Sequence, residues 1–361
     1  MMRSTIPAML LAVTALAISL FTAIGVVAQP TPNPSLLALS KRDHTLAIVD
    51  PKTLQVLACA PVGPDPHEVI ASSDGKTAYV SIYGGGRYHA LSVIDLVGQK
   101  ALLDVDTGAL NGPHGLVFVG GKVWFTAEGA KAVASYDPAS AKIDWIMGTG
   151  QNRTHMLYVT ADEKQVYTTN VNSATVSILE QVTLRPMGPP PSGVRRRAQA
   201  PPAAPGGNQP RADWNQTVIP VGKGSEGFDV SPDGRELWTA NAQDGTLSVI
   251  DLATRTVTAT LDAKVFGANR LKFTPDGKLV LISSLRDGNL VVYDAAWRKE
   301  FKRVPIGHGA AGILMEPDGS RAFIACSPDN YVAVVDLKTF EVKGHIDVGG
   351  EPDGLAWAIR P

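Results

Sequence analysis

Short apolar runs of four to six residues alternate with tight polar breaks along almost the whole chain. After the N-terminal region no long stretch keeps a helical period. The pattern repeats. VGPDPHEVIASSDGKTAYVS, from Val62, returns as GPHGLVFVGGKVWFTA from Gly112 and GSEGFDVSPDGRELWTAN from Gly224. It returns again as GANRLKFTPDGKLVLIS from Gly267, GAAGILMEPDGSRAFIAC from Gly309 and, more loosely, RTHMLYVTADEKQVYTTN from Arg153. Each copy predicts a loop, a strand, a turn and a second strand. An apolar stretch closed by an acid then marks a third strand, at Asp50, Asp95, Asp137, Glu180, Asp251, Asp294 and Asp336. These markers recur every 42–45 residues except for one gap of 71. Four short strands at this period define the blades of a propeller, so the fold expected is all-β, a seven-bladed β-propeller.

The ends predict how the ring closes. Residues 36–40, 46–50 and 56–60 form a blade that lacks its first strand, and residues 351–357 repeat the opening of every other blade and then the chain stops. The C-terminal strand should therefore complete the N-terminal blade, removing both open edges. The propeller is assigned to residues 36–361. The long gap holds a Pro/Arg-rich insertion, residues 185–212, expected between a third strand at 174–179 and a fourth at 217–221. Its composition cannot build a core, so it is expected to be disordered, with Arg195, Arg196 and Arg197 as a solvated charged loop.

Composition adds limits. The chain has 361 residues, 44% hydrophobic, 19% charged and net charge −1, which argues against nucleic acid or an anionic membrane as partner. An uncharged segment from Ile6 to Ala28 follows Arg3 and ends in small residues. It reads as a signal peptide, residues 1–28, cleaved near Ala28, and an uncleaved anchor is the competing reading. A periplasmic or secreted location follows, with residues 29–35 as a Pro-rich tether. A monomer is expected. The two cysteines, Cys59 and Cys326, are expected as unpaired small core residues.

The repeat carries a family resemblance. Ser231-Pro232-Asp233-Gly234, Trp238-Thr239-Ala240-Asn241 and Ser248-Val249-Ile250-Asp251 resemble the blade motifs of the YVTN-type, YncE-like β-propellers. That resemblance spans about residues 36–361 and implies a secreted or periplasmic binding propeller. Gly112-Pro113-His114-Gly115 through Glu128 is also similar to virginiamycin B lyase and the lactonase-type propellers, over one or two blades.

Candidate chemistry follows from the frame. In a propeller the first strand of each blade lines the channel. Its opening residues are, around the ring, His67, His114, His155, Glu226, Asn269, Ala311 and Asp353. Loops expected on the same face add His44, Arg87, Tyr88, His89, Glu128, Asn172, Asp244, Arg286, Asp329 and Tyr331, with His308 beside them. Six of the seven histidines thus map to one face, and only His345 does not. Convergent polar groups at a channel mouth are what a ligand site needs. The ligand-binding set expected is His44, His67, Arg87, His89, His114, Glu128, His155, Glu226, Asn269, Arg286 and Asp353. His67, His114, His155 and Glu226 could hold a divalent metal. Alternatively one of the three histidines acts as a general base, with Arg153 or Arg270 stabilising an anion. The bland alternative is that these histidines only hydrogen-bond neighbouring loops. No Gly-x-Ser-x-Gly, Walker loop, His-Glu-x-x-His or Cys-x-x-Cys-His motif is present. The function expected is binding of a small molecule or protein partner on this face. A lactonase-like hydrolase or lyase and a cell-envelope scaffold are the alternatives.

Overall fold

The structure, a computed structural model, describes residues 29–184 and 211–361. The signal-peptide reading and most of the insertion lie outside the described residues. Seven antiparallel sheets form the ring. Blade 1 consists of Ser35–Ser40, Thr45–Asp50 and Gln55–Pro61, with Pro352–Ala358 as its inner strand. Blades 2 to 7 begin with inner strands Pro66–Ala71, Pro113–Val119, Thr154–Val159, Ser225–Val230, Ala268–Phe273 and Ala310–Met315. Each inner strand touches the inner strands on both sides, from blade 1 round to blade 7 and back.

Closure is as expected. Leu36 pairs with Trp357 and Ala38 with Leu355. Along Ser35–Ser40, alternate residues serve the two neighbouring blades. Leu37 and Leu39 pack with Val69, Val80 and Ile94 of blade 2, while Leu36 and Ala38 pack with Phe323, Val332 and Val334 of blade 7. Both faces are buried, which explains why the middle strands read as unbroken apolar runs. The outermost strands have one wet face, and Lys142–Gly148 and Thr256–Asp262 alternate accordingly.

The markers cap turns. Asp50, Asp95, Asp137, Asp251, Asp294 and Asp336 each accept a backbone N–H from a residue two or three positions further on. Glu180 is the exception, because its strand does not stop there. Thr175–Leu184 and Arg211–Pro220 are ten-residue strands paired through Leu184 and Arg211, and Glu180 instead pairs with Arg255. The insertion boundary at 185–212 is corrected at its far end: Arg211 and Ala212 belong to the ladder.

Two further expectations need correction. Residues 29–35 are not a loose tether. The Thr31 hydroxyl donates to the Leu96 carbonyl, Asn33 exchanges hydrogen bonds with Arg360, and Ser35 opens the first strand. The Pro-rich segment lacks its own ladder and takes partners from the ring. Cys326 is buried but Cys59 is exposed, since it sits on the outer strand of blade 1, where alternate residues face water.

Removing residues 351–361 should leave blade 1 without its inner strand and uncover both adjoining cores. The expected result is loss of the cooperative thermal transition by circular dichroism; an unchanged melt would refute ring closure as the source of stability.

Candidate functional site at the channel mouth

Every inner strand carries a bulge at its start. Pro66 lies opposite Ile82 but Val69 opposite Val80, and the same one-residue slip recurs in all seven blades. A bulge re-aims side chains. Here it sits at the second and third residues of the strand, so it presents His67, His114, His155, Glu226, Asn269, Ala311 and Asp353 at matched positions around the axis.

In blades 3, 4 and 6 a buried hydroxyl fixes the bulge to the next blade. In blade 3 the Gly115 N–H donates to Thr126 Oγ1, and that hydroxyl donates to the His155 carbonyl of blade 4. In blade 4 Met156 N–H donates to Thr169, which donates to the Glu226 carbonyl of blade 5. In blade 6 Arg270 N–H donates to Ser283, which donates to the Ala311 carbonyl of blade 7. Close packing here also explains the glycine after several mouth residues. A Cβ on Gly115 would lie 2.7 Å from the His155 carbonyl oxygen.

A second ring stands above the first. The residue that follows each second strand is Lys41, Tyr83, Glu128, Val171, Ala242, Leu285 or Ser327. Lys41, Leu285 and Ser327 line the central cavity, of about 210 Å³, together with His67, His114, Arg153, His155, Glu226, Asn269, Arg270, Ala311 and Asp353. Its floor is closed by an ion pair across the channel, from buried Arg270 of blade 6 to partly buried Glu68 of blade 2. The pocket is therefore blind. Wider clefts of about 650 and 540 Å³ lie on the opposite face between the Asp-Gly turns of blades 5 to 7, and no imidazole lines them.

The histidines form one network. Asp65 Oδ1 is 3.0 Å from His67 Nε2, and His67 Nδ1 is 3.1 Å from His114 Nε2. With His67 donating to Asp65, its Nδ1 accepts from His114 Nε2–H. His114 Nδ1 is then an acceptor, and it is buried without a hydrogen-bond partner among the described residues. The rings of His114 and His155 lie 4.0 Å apart. His155 Nδ1 bonds Glu128, and its Nε2 faces Glu226 Oε1 at 3.4 Å. Tyr83 donates to the other Glu128 oxygen at 2.6 Å. His114, Glu128 and His155 each offer a ligand atom within 4.8 Å of the others, and all three are buried.

Electrostatics separate these groups. Burial and the neighbouring imidazoles push His114 well below the usual histidine range. Burial also opposes a charge on His155, but its bond to Glu128 and the nearby Glu226 carboxylate prevail and raise it. Burial would raise Glu226, yet His155, Arg153 and Arg270 hold it at about 2. Five carboxylates (Asp65, Glu68, Glu128, Glu226, Asp353) face the three cations Lys41, Arg153 and Arg270, so the mouth favours an added positive charge.

Of the expected site residues, His67, His114, His155, Glu128, Glu226, Asn269 and Asp353 converge. His44, Arg87, His89 and Arg286 do not: all four are exposed and none lines the cavity. They sit farther along their loops, whereas only the first loop residue reaches inward. His89 pairs instead with Asp106, and His308 with Asp329. Sequence reasoning missed Lys41, Tyr83, Asp65 and Glu68. Counting one residue past each second strand would have found the first two.

Comparisons with known proteins fit this frame. The Cytochrome D1 heme domain family matches residues 203–321, which excludes all three mouth histidines. Among curated proteins no relative matches. A functionally unknown protein from Desulfotomaculum acetoxidans is similar at TM-score 0.70 and 10% identity, covering 91% of this chain and 99% of its own. A candidate 6-phosphogluconolactonase from Bacteroides uniformis is similar at TM-score 0.69 and 15% identity, covering 90% and 99%. The dihydro-heme d1 dehydrogenase NirN is similar at TM-score 0.58 and 15% identity, covering 87% of this chain and 64% of its own. At these identities the likeness shows the fold alone, a seven-bladed propeller. A haem does not fit the mouth. The cavity is below the roughly 300 Å³ at which pockets for larger organic ligands begin, its lining is mostly polar, and an ion pair closes its floor.

Two outcomes check this network. Thr126→Val should strand the Gly115 N–H and the His155 carbonyl, lowering stability by about 1–3 kcal/mol in urea unfolding. Glu226→Gln should cost about 3 kcal/mol or more at neutral pH, as loss of a buried charge partner does. A depressed carboxylate stabilises above its unfolded pKa and ceases to as pH falls through the folded value. The gap between wild type and Glu226→Gln should therefore be full above about pH 5 and shrink toward pH 2. A pH-independent gap would contradict the ion-pair reading.

Proposed function

We propose that the channel mouth binds one divalent transition-metal ion and, on it, a small polar molecule. The observation that carries this is the buried cluster of His114, Glu128 and His155, with His114 Nδ1 lacking a partner. Two imidazoles and one glutamate are a ligand set that zinc uses where a coordination position stays open. The surroundings support it. His67, itself held by Asp65, fixes the His114 ring through its other nitrogen, as outer partners of metal-bound histidines do. The carboxylate excess would be offset by the ion, which would also replace the His155 proton. Relative to the set expected from sequence, Glu128 takes the ligand role, and His67 and Glu226 support it.

A lactonase-like hydrolase or lyase is the second reading. It is favoured by the open position such a set leaves, where a bound water could be activated, and by the likeness to a candidate lactonase. The YVTN repeat supports a YncE-like binding propeller, and the apolar N-terminal segment supports an extracytoplasmic location.

Purified protein titrated with Zn²⁺ should bind one ion per chain. His114→Ala, Glu128→Gln and His155→Ala should each abolish stoichiometric binding, measured by atomic emission after gel filtration. Asp65→Asn should weaken it by about 10–100-fold. His345→Ala, which lies outside the cluster, should bind as wild type. Failure of the wild type to bind Zn²⁺, Cu²⁺, Co²⁺ or Ni²⁺, or binding indifferent to the three ligand changes, would refute the reading.

A further inference from the structure

The residue before each inner strand is left-handed in all seven blades. It is Gly112, Gly224, Gly267 and Gly309 in four of them, with φ between 57° and 75°. In the other three it is Asp65 (φ 55°), Arg153 (φ 57°) and Glu351 (φ 54°). A side chain in this conformation costs about 1 kcal/mol relative to glycine. Four blades show that glycine serves the turn. Two of the three charged side chains reach the mouth. Asp65 reaches His67 and orders the imidazole network. Arg153 reaches the cavity itself.

Arg153 makes two long ion pairs that leave its donors without a hydrogen bond. Its Nε lies 3.5 Å from Glu128 Oε1 and its Nη2 lies 3.5 Å from Glu226 Oε1. It thus feels both carboxylates, yet among the described residues its side chain makes no hydrogen bond. It lines the pocket and is about a third exposed. Arg270 differs: it is buried and committed to Glu68 and Asn269. Lys41 adds a second cation at the rim, tied to Asp353 at 3.2 Å.

We propose that the ligand is a small organic carboxylate, whose two oxygens accept from the Arg153 guanidinium while the molecule reaches the metal below. A planar guanidinium fork matches a carboxylate bidentately. The blind cavity of about 210 Å³ limits the molecule to a few carbons. A phosphate ester, with its second negative charge, would face Glu128, Glu226 and Asp353 at close range and is disfavoured. The proposal rests on the metal reading, because without the ion the mouth is acidic.

The test uses the mature protein, its Zn²⁺ content measured beforehand, titrated calorimetrically with glycolate, with its uncharged counterpart glycolamide and with inorganic phosphate. Glycolate should bind with a Kd between about micromolar and millimolar, the range open to so small a ligand. Arg153→Gly should weaken glycolate at least tenfold with zinc stoichiometry unchanged, while its melting temperature stays level or rises as the left-handed turn relaxes. Arg153→Lys should recover only part of the affinity. A merely structural arginine would instead lower the melting temperature and leave glycolate binding intact. Equal binding of glycolamide, tighter binding of phosphate, no glycolate binding by the zinc-loaded wild type, or undiminished binding by Arg153→Gly would each overturn the assignment. Absence of zinc in the wild type would fail the metal reading instead; glycolate binding to the metal-free protein that still requires Arg153 would then uphold the carboxylate assignment alone.

Discussion

The mouth between blades 3 and 7 leans on one recurring interaction, the buried hydroxyl that joins the bulge of blades 3, 4 and 6 to the mouth residue of the next blade. Thr126, Thr169 and Ser283 each accept from a bulged N–H and donate to a neighbour's carbonyl. A bulge leaves backbone groups outside the ladder, and buried backbone groups need partners. The hydroxyl supplies them and converts a local irregularity into a link between blades. His155, Glu226 and Ala311 are thereby each positioned by two sheets. Across the closure the Ser327 hydroxyl of blade 7 donates to the Pro352 carbonyl, which ties the closing strand to the mouth as well.

On this near-sevenfold frame the chemistry is lopsided. Blades 2, 3 and 4 give imidazoles, blade 5 a carboxylate, blades 6 and 7 an amide and a methyl, and blade 1 a carboxylate. The second ring follows suit, with Lys41, Tyr83 and Glu128 on blades 1 to 3 and Val171 and Ala242 after them. The bulge recurs in every blade, yet the side chains it presents differ from blade to blade. The two arginines differ as well. Arg270 closes the channel, and a buried, paired guanidinium does that whatever lies above it, whereas Arg153 is exposed to the cavity.

Much of this was legible in the sequence because a propeller multiplies its evidence. A single Val-Ile-Asp strand is ambiguous, but seven at nearly constant spacing are not. The inner ring could be read for the same reason: alignment of repeats superimposes His67, His114 and His155. The second ring was obscured because the loops after the second strands differ in length and composition, and Arg87 and His89 look more reactive than Tyr83. Only geometry shows that a loop's first residue turns inward and the rest splay outward. The ion pair of Glu68 and Arg270 was hidden for a different reason. It joins blades that are far apart in sequence and opposite in the ring, and no repeat alignment brings them together.

The left-handed position before each inner strand shows how repeat proteins reveal function through departures from their own average. Within one chain the repeats act as internal controls, since they share backbone, neighbours and solvent. Where four copies use glycine, a fifth that carries arginine bears a conformational cost that its siblings avoid. At two of the three non-glycine positions the side chain reaches the channel mouth. For Asp65 the contact is a hydrogen bond to His67. For Glu351, whose backbone N–H takes Asn330, the structure gives no comparable contact for its side chain. For Arg153 the carboxylates nearby lie beyond good hydrogen-bond range, and internal pairing leaves the guanidinium under-used. The guanidinium lines the pocket above the histidines, where its donors are available to a ligand.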